Sequence, residues 1–330
     1  MKRSVILSFI FLVFALLLSL AIGSVFLTPA ELWDVLLGRG TSTATQIVWA
    51  IRLPRTVLIV LTGMALAGSG TAYQGLFRNP LADPFLIGVA SGAGLGAVIA
   101  MSVKWPYSFW GLMAVPMASF LGALLTVFAV YFVARVGNTV PTTNLILAGV
   151  AISSFATSLT SFLMLRSTGE VRRALGWLLG GASQGGWTAI LALLPYLVVG
   201  LGILLLSGHI LNLLQFGDDQ AQQLGLNVGR ARALVLAAAS LSAAAAVAFS
   251  GIIGFIGLIV PHIIRLWVGG DYRRVMPLSI LGGATALLLS DVLARVLLAP
   301  QELPVGIVTS LAGAPFFLWV LRRAKNQGYW

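Results

Sequence analysis

The stretch VILSFIFLVFALLLSL, residues 5–20, holds only two polar side chains, Ser8 and Ser19. With the residues up to Leu27 it is long enough to cross about 30 Å of hydrocarbon as a helix. A helix satisfies its own backbone groups in lipid, whereas the strands of a membrane barrel alternate apolar and polar residues. Residues 275–289, VMPLSILGGATALLL, are likewise apolar on all sides. The sequence therefore predicts an all-α membrane protein.

Apolar runs of this kind recur along the whole chain of 330 residues. The chain is 59% hydrophobic and 9% charged, with a mean hydropathy of +1.00, whereas soluble domains carry about 25% charged residues. Breaks at Pro, Gly and charged residues divide it into about ten spans within a single transmembrane domain, residues 1–330. The predicted spans are 5–27, 56–76, 85–103, 109–134, 143–164, 187–207, 233–250, 252–268, 275–298 and 305–321.

Basic residues set the predicted orientation. An even number of spans puts both termini on one side, and Lys2 and Arg3 together with the cluster at 322–325 place that side in the cytoplasm. For the same reason the formal charge of +11 indicates cytoplasmic loops rather than nucleic-acid binding. The basic residues that nevertheless fall outside are Arg39, Arg52, Arg55, Lys104, Arg166, Arg172, Arg173 and Arg295. This external charge indicates an acidic partner on the outer side.

The residue inventory argues against an enzyme. A Walker A loop requires a lysine after glycine, and the three lysines, Lys2, Lys104 and Lys325, all follow other residues. With no cysteine and only two histidines, His209 and His262, the chain offers neither thiolate chemistry nor a multi-histidine metal site. We therefore expect no catalysis, no metal site and no resident cofactor.

Two connecting segments carry helix signals. Thr28-Pro29-Ala30-Glu31 has the form of a capping box with proline at the first helical position, which predicts a short amphipathic helix on the outer surface. Gly217–Arg232 is the longest polar stretch, with Asp218 and Asp219 favouring a helix start and Leu224-Gly225 its end. This inner segment is either a docking surface for a cytoplasmic partner or a solvated loop.

A row of hydroxyl side chains marks the fifth span. Its members, spaced so as to share one helical face, are Ser153, Ser154, Thr157, Ser158 and Ser161. Such a row either lines a pathway or packs closely against a neighbouring helix. In the ninth span, Asp291 precedes Arg295 by four residues. That spacing predicts an ion pair, and charges inside a membrane indicate function by default.

Glycines at helical spacing predict close helix packing, because small residues let helices approach in lipid. The three groups are Gly88, Gly92 and Gly96, then Gly176 and Gly180, then Gly251, Gly254 and Gly257. The last group, followed by Pro261, also predicts a break between two spans.

Six blocks of sequence resemble a known family. They are QIVWAIRLPRT (46–56), QGLFRNPLADP (74–84), LAGV (147–150), QLGL (223–226), GFIGLIVPH (254–262) and ELPVG (302–306). In this order they resemble the FecCD family, the permeases of ABC importers for ferric siderophores, haem and cobalamin. The resemblance covers almost the whole chain and implies the family's cobalamin-permease-like fold of ten transmembrane helices.

The resemblance also implies partners and a location. Members of this family work as homodimers in the bacterial inner membrane, with the pathway between the two copies, two cytoplasmic ABC ATPase subunits, and an extracytoplasmic substrate-binding protein. The residues that match the family's docking arginines are Arg52, Arg55 and Arg295. The match to the helix that couples to the ATPase covers Asp218, Asp219, Gln222, Leu224 and Gly225. The cytoplasmic gate corresponds to Asn79, Pro80 and Leu81 with Thr142 and Thr143.

Two alternatives remain open at this stage. An ion-coupled secondary transporter would use Asp291 and Arg295 for coupling, and a structural membrane scaffold would make the external arginines incidental. Among importer substrates, iron chelates rank first and cobalamin follows closely.

Overall fold

The structure is a computed structural model, and it describes residues 2–23, 25–106, 108–137, 140–166, 171–181 and 186–325. Fifteen α-helices form the framework of this part of the chain. In chain order they are α1 (Lys2–Ala21), α2 (Pro29–Leu36), α3 (Ser42–Gln46), α4 (Leu53–Leu76), α5 (Val89–Met101), α6 (Phe109–Ala134), α7 (Thr142–Arg166), α8 (Val171–Leu178), α9 (Trp187–Leu206), α10 (Gly208–Leu214), α11 (Asp218–Gln223), α12 (Val228–Ser250), α13 (Ile256–Val268), α14 (Tyr272–Val296) and α15 (Val305–Lys325). A π-helical segment, Ile47–Arg52, joins α3 to α4, and a 3-10 helix, Pro84–Ile87, precedes α5.

The predicted spans all have counterparts among these helices. Within the described residues, seven helices are long and apolar enough to cross a membrane, with α3, the π segment and α4 counted as one helix of 35 residues. Three shorter apolar helices, α5, α13 and α15, complete the set. The prediction of an all-α polytopic membrane protein is therefore confirmed.

Several span boundaries differ from the prediction by a few residues, and two of these differences have a clear physical cause. The first span ends at Ala21 rather than Leu27, because the chain turns there and the Leu27 N–H donates back to the Ala21 carbonyl at 3.0 Å. The eighth span begins at Ile256 rather than 252. Gly251 (φ +73°) and Phe255 (φ +69°) both leave the right-handed helical region, which confirms the predicted break after α12.

The helix signals in the two connecting segments are confirmed. The Thr28 hydroxyl accepts a bond from the Glu31 N–H at 3.3 Å, and the Glu31 carboxylate accepts one from the Thr28 N–H at 2.8 Å. Pro29 is the first residue of α2, as the capping box predicts. On the other side of the bundle, α11 has two aspartates in its first turn and is followed by Gly225 at φ +88°.

The centre of the bundle depends on glycine at its closest crossings. Gly63 of α4 and Gly283 of α14 face each other so closely that a Cβ on either would fall against the backbone of the other. A Cβ on Gly70 of α4 would fall against the Gly257 carbonyl at the start of α13, and a Cβ on Gly257 would meet the Leu66 carbonyl of α4. These contacts bring α4, α13 and α14 within backbone contact, as small residues allow in membrane proteins.

The predicted glycine packing is confirmed for one group and only partly for the others. Gly92 and Gly96 of α5 lie directly against the backbone of α6, and Gly180 lies against the Ile252 carbonyl. A Cβ added at Gly176 or Gly254, however, would meet no described atom within 4 Å. Helical spacing therefore identified one well-packed face and overestimated the packing of two positions.

Contacts between the connecting segments define two ends of the bundle. The α2 end holds α2, α8 and the segments 102–106 and 297–304, which lie beside Arg52 and Arg55 at the start of α4 or line one cavity with Arg55. The α11 end holds α10, α11 and the segments 77–83 and 269–271, which hydrogen bonds of Asn212, Gln215 and Arg265 join. The predicted docking arginines fall at the α2 end, and the predicted coupling and gate residues fall at the α11 end.

Candidate functional site

A group of charged residues, which we call the arginine cluster, lies at the α2 end; it comprises Arg52, Arg55, Arg295, Asp291 and Glu302. Arg55 donates from Nε and Nη2 to Asp291 Oδ1 at 3.1 and 2.9 Å, and from Nη1 to Glu302 Oε2 at 2.5 Å. Arg295 Nε lies 3.1 Å from the second Asp291 oxygen, so the predicted ion pair between these residues is confirmed. Asp291 is fully buried, and the two guanidinium groups neutralise its charge.

The other two arginines bind the end of α1. Arg52 donates from Nη1 to the carbonyls of Leu20 and Ala21 at 2.5 and 2.9 Å and from Nη2 to that of Val25. Arg295 donates from Nη1 to the carbonyls of Ser19 and Ile22 at 3.1 and 3.0 Å. The last carbonyls of a helix have no partner within it and carry partial negative charge. The two guanidinium groups therefore satisfy the C-terminal end of α1 where lipid could not.

This arrangement bears on the predicted docking role of the three arginines. Arg52 and Arg295 are only 5% and 4% exposed and are bound within the chain. The Arg55 side chain is 16% exposed and reaches the surface beside Glu302. Contact of the three with a binding protein stays a prediction, and Arg55 is the one that this structure leaves partly accessible.

The hydroxyl row of the fifth span lies on α7 and is not covered by the rest of the described chain. Ser154, Thr157, Ser158 and Ser161 are exposed, whereas Ser153 is partly buried. The hydroxyls of Ser154 and Ser161 donate to the carbonyls four residues earlier, at 2.8 and 3.0 Å. Packing against a neighbouring helix of the same chain therefore does not account for the row.

Polar contacts at the α11 end hold the predicted gate segment. The Asn79 side chain accepts a bond from the Leu81 N–H at 2.9 Å, which fixes a turn around the exposed Pro80. The Pro80 carbonyl accepts a bond from Arg265 at 3.4 Å. The other predicted gate residues, Thr142 and Thr143, begin α7 at the same end.

A buried glutamine that the sequence analysis did not single out connects this segment to the helix break. Gln74 is 1% exposed, accepts a bond from Arg265 Nη2, and donates to the carbonyls of Gly257 and Leu258 at 3.4 and 3.2 Å. An amide in the last turn of a long apolar span was the available signal, because a buried amide needs partners. Gln74 therefore joins α4, the start of α13 and the Pro80 turn.

Replacing Gln74 by leucine should lower the free energy of unfolding by about 1–3 kcal/mol, because Arg265 and two buried carbonyls lose a partner. Thermal unfolding of the purified protein in detergent measures this. Gln223→Leu, at an exposed position of α11, is the matched control and should unfold like the wild type. Equal melting temperatures for the two variants would show that the Gln74 contacts contribute nothing to stability.

Two carboxyl groups outside the spans have strongly shifted pKa values. Bonds from Arg273 and then Asn212 lower the pKa of Asp271 to about 2, so this residue stays charged and holds α10 to the start of α14. Burial raises the pKa of Asp83, just after the Pro80 turn, to about 6, and its bond from the Phe85 N–H opposes that rise.

The predicted coupling residues lie on one exposed element. Asp218, Asp219 and Gln222 project from α11, while Leu224 and Gly225 follow it, and all five are exposed. Ala221 is buried and packs α11 onto the bundle. The structure thus presents a short helix at the surface of the α11 end, which is the geometry that a docking element requires.

Ten apolar helices in the described residues, together with a polar row that the chain leaves uncovered, fit a membrane transport permease. The chain belongs to the FecCD transport family, whose model matches residues 11–323. The family predicted from the sequence blocks is thereby confirmed, as is the prediction of an ABC-transporter permease.

Named relatives are similar over most of the chain. The cobalamin import system permease protein BtuC of Halobacterium salinarum is 46% identical, over 85% of this chain and 74% of its own. The hemin transport system permease protein HmuU of Yersinia pestis is 41% identical, over 96% of this chain and 95% of its own. A solved structure of an inward-facing metal-chelate type ABC transporter aligns with a TM-score of 0.84 at 31% identity, covering 97% of this chain and 99% of that one.

Proposed function

We propose that this chain is the permease subunit of a bacterial inner-membrane ABC importer for a metal chelate, with ATP hydrolysed by separate subunits and not by this chain. Family membership and relatives named for cobalamin and haemin import support the proposal. Ferric siderophores, haem and cobalamin are all within this substrate class. No resident metal or cofactor takes part.

The uncovered hydroxyl row of α7 is the observation that carries the proposal. In a single chain these hydroxyls would face hydrocarbon, where polar groups are costly. A second copy placed against this face would enclose the row and leave a polar pathway between the two subunits. We therefore propose a homodimer with α7 of each copy lining the pathway, and with lipid around the exposed apolar faces of the other helices.

The α11 end is the proposed cytoplasmic side. Both termini then lie in the cytoplasm, which agrees with the basic residues that flank α1 and α15. One ATPase subunit docks on α11 of each copy through the exposed coupling residues. Closure of the ATPases displaces α11, and the turn at Asn79–Leu81 together with the start of α7 forms the gate that responds.

The α2 end is the proposed docking face for the substrate-binding protein. Its direct cationic contact is Arg55, which can hold a carboxylate through two parallel bonds. Arg52 and Arg295 contribute to docking by holding α1 in place beside it. A cavity of about 1580 Å³ on the same face is lined by residues that include Arg55 and Glu302. A carboxylate on the surface of the binding protein would reach Arg55 through this cavity.

An ion-coupled secondary transporter is the weaker second candidate. It requires an intramembrane acid that can exchange its ion. Asp291 is instead held between two guanidinium groups, with one oxygen 2.9 Å from Arg55 Nη2 and the other 3.1 Å from Arg295 Nε. This arrangement favours a fixed structural charge over a coupling site.

Uptake by the reconstituted transporter tests the proposed function. Liposomes containing this chain, its genomically adjacent ATPase and its binding protein should accumulate one radiolabelled chelate among cobalamin, haemin and ferric siderophores when ATP is supplied. Liposomes lacking ATP or the ATPase should not. Uptake by this chain alone, driven by an ion gradient, would refute the importer and support the second candidate.

Thiol labelling tests the pathway directly, because the natural chain has no cysteine. Ser158→Cys should react with a water-soluble thiol reagent at least about tenfold faster than Phe128→Cys, since an apolar setting raises the thiol pKa and each pKa unit lowers the thiolate fraction about tenfold. Phe128 is an exposed apolar residue of α6 and serves as the lipid-facing control. Equal labelling rates would place the hydroxyl row in lipid.

A further inference from the structure

A largely buried arginine connects α11 to α7, the helix that lines the proposed pathway. Arg232, in the second turn of α12, donates from Nη2 to Asp218 Oδ1 at 2.9 Å. From Nη1 it donates to the Val140 carbonyl at 3.3 Å. Val140 lies two residues before Thr142, where α7 begins. A single guanidinium group therefore touches α11 on one side and the entry to α7 on the other.

The low exposure of the Arg232 side chain distinguishes this contact from an ordinary surface ion pair. The Arg232 side chain is only 11% exposed and Val140 is 8% exposed, whereas the Asp218 side chain is 47% exposed. Exposed pairs contribute little to stability. A buried planar guanidinium with two separate acceptors instead fixes the relative positions of the groups it joins, because its donors keep a rigid geometry.

Arg232 joins the well-anchored α12 to α11, which has fewer side-chain bonds to the bundle. Most of α12 is buried in the bundle, and α10 is tied to its neighbours by Asn212 and Gln215, which bond to Asp271 and to the Gly75 carbonyl. Within the described part of the chain, Asp218 is the residue of α11 whose side chain is bound to another element. The Arg232 Nε is buried without a described partner, so the contact is not fully satisfied in this arrangement.

We propose that Arg232 is a positioning residue that transmits displacement of α11 to the start of α7, an inference that rests on the proposed function. When an ATPase subunit moves α11, the Asp218 carboxylate pulls on the guanidinium, and the bond to the Val140 carbonyl passes that shift to the gate residues Thr142 and Thr143. Arg232 touches neither the substrate nor ATP. Its role is to keep ATP hydrolysis coupled to opening of the pathway.

The test is the ratio of substrate transported to ATP hydrolysed, measured in liposomes with the complete importer. Arg232→Gln and Arg232→Lys should each lower this ratio about tenfold, within the range that coupling residues contribute, while ATPase binding and ATP hydrolysis persist. Lysine keeps the charge but reaches only one of the two acceptors. The matched control is Arg3→Gln, an exposed arginine at the same end, which should keep the wild-type ratio.

A second measurement separates transmission from simple destabilisation. In the cysteine-free chain, Thr143→Cys reports on the start of α7, and its labelling rate in the complete importer should change when a non-hydrolysable ATP analogue is added. Adding Arg232→Gln should abolish that nucleotide dependence while the melting temperature of the complex stays close to that of Thr143→Cys alone.

The outcomes distinguish this proposal from the proposed function. Suppose that the wild-type importer transports with ATP and that the Arg232 variants keep both the transport ratio and the nucleotide response. That result would overturn the role of Arg232 and leave the proposed function intact. Failure of the wild-type complex to couple ATP to any uptake would overturn the proposed function itself.

Discussion

Gly63→Ala should lower the free energy of unfolding by about 1–3 kcal/mol, the usual cost of overpacking a close-packed interior, and Gly63→Leu should leave no monodisperse protein. The new Cβ would fall against the Gly283 carbonyl and within 3.0 Å of the Ala284 Cα, and backbone of a buried helix cannot move aside as a flexible side chain would. Unfolding of the purified variants in mixed micelles and their elution in size-exclusion chromatography measure the two effects.

Gly202→Ala provides the matched control. Gly202 also lies within a membrane-spanning helix, α9, but a Cβ there would meet no described atom within 4 Å. Alanine is the better helix former, so this variant should be as stable as the wild type or up to about 1 kcal/mol more stable. If Gly63→Ala and Gly202→Ala unfold alike, α4 and α14 are not in backbone contact at this crossing.

The contrast between these glycines shows what the sequence could and could not predict about packing. Spacing by four residues places Gly92 and Gly96 on one helix face, and in the structure the backbone of α6 packs against that face. The same reasoning overestimated Gly176, because spacing identifies a face but not what lies opposite it. Gly63 and Gly283 are 220 positions apart, and only the tertiary structure pairs them.

Span positions were predictable for a simpler physical reason. A helix in lipid must be apolar over its own length, so each span is encoded locally. The exceptions are helix ends that depend on distant groups. At Ala21, where α1 ends, guanidinium groups from α14 and the π segment donate hydrogen bonds to the free carbonyls. No pattern within residues 5–27 carries that information.

The candidate site shows the same difference between features with local sequence signals and features that depend on distant residues. The sequence correctly placed α11, the start of α7 and the Asp291–Arg295 ion pair, because capping residues and an i, i+4 spacing are local signals. It treated the external arginines as one docking group, since their positions in the chain do not reveal that Arg52 turns inward. The sequence identified Arg232 only as the last residue of the inner polar stretch, because its two acceptors come from segments 14 and 92 positions away.

Asp291→Ala should lower the free energy of unfolding by about 3–5 kcal/mol, the cost of removing one partner from a buried ion pair and leaving the other charge uncompensated. The acid is 0% exposed and is the only carboxylate in the described chain that contacts both Arg55 and Arg295. Glu302→Gln is the control, because the Glu302 side chain is 39% exposed and an exposed pair contributes about 0–1 kcal/mol. Denaturant titration of the purified variants in detergent compares them.

Arg295→Met and the double variant Asp291→Leu/Arg295→Met test the second function of the arginine. If Arg295 only neutralised Asp291, the double variant would recover the stability that Asp291→Leu loses through the uncompensated Arg295, since Arg55 lacks Asp291 in both variants. We expect incomplete recovery, because the carbonyls of Ser19 and Ile22 would still lack their donor. Full recovery would contradict the capping of α1.

The variant Asp291→Asn tests the alternative function. Wild-type stability together with an altered pH dependence of uptake would make this acid a proton-exchanging site and would support the ion-coupled secondary transporter.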